Sequence, residues 1–179
     1  MKKLLTGIAM LLCVAAQAGQ KQSARVENPL FDMQGLLDTG TLDVEVLQKW
    51  HVVKGPVPTR QKLVTTHVGQ LWPGQDYRIP ARMIVPAKRR AKGFHLTGGH
   101  QLKQLQRDVR LRGVQNDLIS GGVGLVQTIV QEPRQFGKAE LAKAMRKRFV
   151  ETLNPHYSIQ YWAWPVTLMR ATTAAYAEK

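Results

Sequence analysis

The sequence predicts an α/β fold: an N-terminal antiparallel hairpin, one βαβ unit and two C-terminal helices. Three observations carry this. Residues 77–86 (YRIPARMIVP) alternate, with Ile79, Ala81, Met83 and Val85 on one side and Arg78 and Arg82 on the other, the period of a half-buried strand. Residues 124–131 (GLVQTIVQ) are almost continuously apolar or β-branched, which suits a parallel strand covered on both faces. Elsewhere apolar residues return every three or four positions, the spacing of helices.

The first residues read as an address. Lys2 and Lys3 precede an apolar run from Leu4 to Ala16, and Ala16-Gln17-Ala18 has the small-x-small form of a cleavage site. Residues 1–18 are therefore expected to be a bacterial signal peptide cut after Ala18, giving a periplasmic or secreted product. The run is shorter than the roughly 20 residues that span a bilayer, so no transmembrane segment is expected in the mature chain. The single cysteine, Cys13, leaves with the signal. Leu12 stands before it where a lipoprotein wants a small residue. Disulfide and thiol chemistry are thus excluded from the mature chain, and stability has to come from a core. A chain of 179 residues suffices for one such domain.

Residues 19–60 are weakly patterned. They are expected to be loosely ordered, with one short helix near Val44 to Trp50 and a connector, KGPVPTR, over 54–60. The domain proper is placed at 61–179. Leu63 to Val68 is a β-branched run, and Trp72-Pro73-Gly74-Gln75 turns it into the alternating strand 77–86. Lys88 to Lys92 form a basic loop. Gly93 to Thr97 is a short strand ending in Gly98-Gly99. Leu102, Leu105, Val109 and Arg112 predict a helix across 101–113, with Gly113 as its C-cap. After the strand at 124–131, Leu141, Met145, Phe149 and Leu153 predict a helix over 138–153, stopped by Asn154-Pro155. Pro165 fits the first turn of a last helix with Leu168, Met169, Thr172 and Tyr176 on one face.

Several of these stretches occur in an order that resembles the PhoPQ-activated pathogenicity-related family. They are Gln70-x-Trp72, a strand ending at Pro86, a strand ending in Gly98-Gly99, Gln131-x-Pro133-x-Gln135, and a helix with Trp164-Pro165, Met169 and Ala171. The resemblance covers about 110 residues and implies an α/β-hydrolase-like fold exported from a Gram-negative bacterium, associated with virulence or the envelope. In such folds the helix matching Trp164 to Tyr176 leads into a central strand that ends in a G-x-S-x-G nucleophile turn. This sequence reaches Lys179 before any such turn. The expectation is a partial hydrolase-like sheet and a truncated, non-catalytic protein. The strand at 93–97 would then keep a bare edge, which favours self-association.

Reading the residues for other chemistry agrees. The mature chain has Ser23, Ser120 and Ser158, none in G-x-S-x-G. Ser120 comes closest, with Leu118 in place of the first glycine, and it is the candidate if the protein is instead an esterase or peptidase with an unrecognised nucleophile. Gly98, Gly99 and His100 are placed to offer backbone N–H groups to an oxyanion, or form only a tight turn. The five histidines lack ligand spacing, so no metal is expected. Ser120 to Gly124 precede a strand, whereas a dinucleotide fingerprint follows one, and no cofactor is expected.

The net charge is +14, from 26 Lys and Arg against 12 Asp and Glu. Such an excess draws polyanions without specifying one. For an exported protein these are anionic envelope lipid or polysaccharide, and nucleic acid is not expected. A self-contained basic envelope module is the alternative to the truncated hydrolase. Arg107 and Arg110 (with Arg112) on one predicted helix and Lys143, Arg146 and Lys147 (with Arg148) on another are its candidate residues. Should both helices cover one sheet face, they form one basic patch, flanked by Trp50, Trp72, Trp162 and Trp164 at a membrane interface. The competing reading puts the tryptophans in the core.

Overall fold

The structure is a computed structural model and describes residues 32–72, 75–130, 139–154, 157–158 and 162–178. The expected signal peptide, the Pro73-Gly74 turn, Gln131-x-Pro133-x-Gln135 and His156 lie outside the described residues.

Five strands form one sheet: β1 Glu45–Val53, β2 Thr59–Trp72, β3 Gln75–Pro86, β4 Gly93–Thr97 and β5 Val123–Thr128, in the order β1-β2-β3-β5-β4. β2 and β3 are the expected antiparallel hairpin, with Val64 opposite Ala81 and Lys62 opposite Met83. β4 and β5 run parallel, with Leu96 opposite Val126. β5 is antiparallel to β3, Val126 facing Met83.

β1 corrects the sequence reading, which expected a helix near Val44 to Trp50. Its side chains are mostly exposed or half-buried, so no alternation marks it. What makes it a strand is its partner: the long outer edge of β2 has backbone groups to satisfy, and β1 pairs along it from Glu45–Thr65 to Val53–Thr59. The preceding helix α1, Met33–Leu37, was not expected either. Asp32 caps it, accepting from the Gly35 N–H at 2.9 Å. Leu36 and Leu42 enter the main core.

The crossover from β4 to β5 is the second correction. The single helix expected over 101–113 is replaced by one turn, α2 (Leu102–Leu105), an extended stretch, and α3 (Val114–Gly121). Buried side chains from the sheet take the backbone bonds that a helix would use. Gln61, fully buried, donates from Nε2 to the Val109 carbonyl at 2.8 Å and accepts the Val109 N–H at 2.9 Å. Arg82 Nε donates to the Leu105 carbonyl at 2.7 Å. Val109 and Leu111 then pack on Ile84, Ile119 and Leu125. Gly113, at φ +49, starts α3 instead of capping a helix before it. Gly122, at φ +91, ends α3 in the left-handed conformation that favours glycine.

The remaining helices are α4 (Ala139–Thr152) and α5 (Thr167–Ala177), close to their expected places. Pro165 lies in a π turn, Trp162–Val166, that leads into α5. Helices cover both sides of the sheet. On the first face, α1, α5 and Met145 of α4 pack over Val64, Ala81, Met83 and Val126. On the second, α2, α3 and the stretch between them cover Leu63, Ile84 and Leu125. β3 is thereby buried on both faces, and Arg82, expected to face solvent, has no exposed surface.

Candidate functional site

The Gly98-Gly99-His100 turn closes β4 and is bound firmly to the end of β5. The Gly98 carbonyl accepts the Val130 N–H at 2.7 Å, and the His100 N–H donates to Thr128 at 3.4 Å, with Gly99 bridged to Ile129. A side chain at Gly98 would place Cβ 2.3 Å from Val130 Cγ2 and 3.0 Å from Leu168 Cδ2, so only glycine fits that close approach. The His100 ring joins Thr97 Oγ1 at 2.8 Å, and burial lowers its pKa, favouring the neutral imidazole. The His100 backbone donor is therefore already used within the fold. Ser120 sits in the last turn of α3, and its carbonyl accepts from Arg89 Nη2. A nucleophile elbow runs from strand to helix; here Ser120 lies where a helix ends before a strand.

A second cluster had no signal in the sequence. His51 of β1 and Asp108 of the extended stretch are 57 positions apart and meet at 2.7 Å, Nε2 to Oδ1. His51 Nδ1 lies 3.0 Å from the Lys49 carbonyl. Both ring nitrogens thus face acceptors, and only the imidazolium can donate to both. The Lys49 carbonyl, then Asp108, raise the His51 pKa. Asp108 also lies 3.8 Å from Nη1 of Arg82, a nitrogen with no hydrogen-bond partner among the described residues. Burial lowers the Arg82 pKa and Asp108 opposes that shift.

A folded-state pKa above the unfolded one gives a contribution that is complete below the ordinary histidine value of 6.5 and is lost as pH rises through the raised value. The His51 ring resonances are expected to titrate above 6.5, and Asp108→Asn to move that titration down. A wild-type midpoint at or below the ordinary value would refute the two-acceptor arrangement. Among the described residues no three His, Cys, Asp or Glu side chains group to hold a metal.

The basic residues do not form one patch. Arg107 and Arg110 are exposed on the stretch that crosses the second face, Arg110 lining a 250 Å³ cleft with Lys54, Val57 and Leu111. Lys143, Arg146 and Lys147 are exposed on α4, whose Met145 is fixed in the core of the first face. The sheet lies between the two sets. The tryptophans are not uniformly core: Trp50 is half-buried with Arg60 stacked on it at 5.6 Å, and Trp164 is 64% exposed.

Among the described residues β4 pairs with β5 and with no other strand. Beside it, Leu96, Pro165, Leu168, Met169, Thr172 and Tyr176 line much of an apolar cleft of about 590 Å³, and none of the described residues that line it is charged. No helix among the described residues is long and apolar enough to cross a membrane. Comparison of the chain with protein-family profiles, curated proteins and solved structures gives no match.

Proposed function

We propose that this chain is an exported, non-catalytic protein of the PhoPQ-activated pathogenicity-related kind, associated with virulence or the envelope. Its sheet is α/β-hydrolase-like and it works by association through β4. The observation that carries this reading is the position of β4 at the edge of the sheet that the described residues form. An open edge is a template for another chain, and the cleft beside it offers an apolar lining for a second copy to cover. The sequestered His100 and the helix-terminal Ser120 support the non-catalytic part.

The purified protein is expected to elute as a dimer or larger species, and Leu96→Lys, which puts a charge into the cleft, to shift it to monomer. A monodisperse monomer at high concentration would refute association through β4. Short-chain nitrophenyl esters are expected to be hydrolysed no faster than with heat-unfolded protein. Turnover that disappears in Ser120→Ala would establish the esterase or peptidase alternative instead.

A further inference from the structure

We infer that the outer face of α4 is a docking surface for an anionic lipid bilayer. This is independent of the β4 edge. Met145, with no exposed surface, fixes the inner side of the helix. Lys143, Arg146, Lys147 and Val150 follow at spacings of three and four, so they share the opposite side. Val150 is 68% exposed in the middle of these three cations, and Leu153, just past the helix end, is 74% exposed. Leu153 has φ +52, a left-handed conformation uncommon for leucine. Its N–H still closes the last turn on the Phe149 carbonyl at 2.6 Å, and its side chain remains in solvent instead of joining Met145 in the core.

Charge alone would suit any polyanion. The two aliphatic side chains among the cations select between them: a polysaccharide offers anionic groups and little to cover Val150 and Leu153, whereas an anionic bilayer offers phosphates at its surface and acyl chains just beneath. α4 holds four cations, Lys143, Arg146, Lys147 and Arg148, against two acids, Glu140 and Glu151. Glu151 is the single acid between Lys143 and Leu153, and it is flanked by Lys147 at 3.8 Å and Arg148 at 3.6 Å. Arg148 lies over the Tyr157 ring, 6.0 Å from its centroid, and belongs to the helix flank.

The test is flotation of the full protein with vesicles of phosphatidylglycerol and phosphatidylcholine, against phosphatidylcholine alone, at low and high salt. Binding is expected only to the anionic vesicles and to fall with salt. Each α4 lysine changed to alanine should weaken partitioning about fivefold, and Lys143→Ala with Lys147→Ala about 25-fold. Removing the same charge from the second face, with Arg107→Ala and Arg110→Ala, should change it by less than about twofold. Val150→Ser with Leu153→Ser should weaken vesicle binding several-fold and leave retention on a sulfated polysaccharide column unchanged.

Circular dichroism of each variant checks that these surface changes leave the fold intact, and repeating the series in Leu96→Lys separates lipid binding from self-association. Equal losses from the two basic sets would overturn the proposal, because net charge alone would then be responsible. An unaltered Val150/Leu153 double variant would overturn it in favour of a purely polar polyanion, and absence of binding to anionic vesicles at low salt would remove it outright.

Discussion

Arg170→Ala is expected to destabilise the fold by about 3–5 kcal/mol, read as a fall in the urea midpoint of the full chain. Arg170 lies on α5 and is 2% exposed. Its guanidinium joins three separate parts of the chain. Nε donates to the His67 carbonyl at 3.0 Å. Nη1 donates to the carbonyls of Gly35 at 3.2 Å, Leu36 at 3.4 Å and Asp38 at 2.9 Å. Nη2 donates to Thr41 Oγ1 at 3.2 Å. The carbonyls of Gly35 and Leu36 lie at the end of α1, where a helix leaves acceptors unpaired. Truncation removes all of these bonds at once. The Leu36 carbonyl keeps Thr173 Oγ1 at 2.9 Å and the Gly35 carbonyl keeps the Asp38 N–H at 3.3 Å, so the loss falls mainly on the bonds to His67 and Asp38 and on the buried volume that Arg170 fills.

Arg170→Met separates bonding from packing. It retains most of the side-chain volume and none of the donors, so it should recover the packing part of the loss and none of the bonding part. Arg170→Lys keeps the charge but lacks the planar fork that reaches several acceptors at once, and should recover only part of the loss. α1 should come loose from α5 in both, visible as faster amide exchange at Leu36. A midpoint unchanged to within about 1 kcal/mol would show that water replaces the guanidinium at little cost.

The sequence reading succeeded where one physical pattern dominated and failed where a tertiary partner decided. The hairpin and the β4–β5 pair were legible because alternation and a two-sided apolar run are direct records of burial. β1 was not, because its structure comes from the edge of β2 and its own side chains stay largely in water. The stretch after Leu105 carries helical spacing, yet Gln61 binds both the N–H and the carbonyl of Val109 and holds it extended. Arg82 sits at a position that alternation assigns to solvent. The pattern shows that a side chain is polar; it does not show that the chain later crosses over it. The candidate turn at Gly98, Gly99 and His100 could be found because its residues are adjacent. His51 and Asp108 could not, since their approach depends on the same unforeseen extended stretch.

That stretch makes Arg82→Ala the second large effect, also about 3–5 kcal/mol. Arg82 is fully buried, donating from Nε to the Leu105 carbonyl and from Nη2 to Gln48 Oε1 at 2.5 Å, with Asp108 3.8 Å from Nη1. Its removal deprives the Leu105 carbonyl of its donor where α2 ends, takes the donor from Gln48 Oε1 while Gln48 Nε2 keeps the Gln106 carbonyl, and leaves a cavity in the sheet face. The loss of stability alone would not distinguish these roles from simple packing, so a second measurement is needed. The positive charge of Arg82 lowers the His51 pKa, while Asp108 raises it. With Arg82 gone and Asp108 still in place, His51 should therefore titrate higher than in the wild type. If Asp108 instead moves away once its buried partner is lost, His51 should titrate lower. The upward shift identifies Asp108 as a shared group between a half-buried histidine and a buried arginine; the downward shift shows that Arg82 is what holds Asp108 within reach of β1. A stability loss with no movement of the His51 titration in either direction would refute the coupling and reduce Arg82 to a packing role.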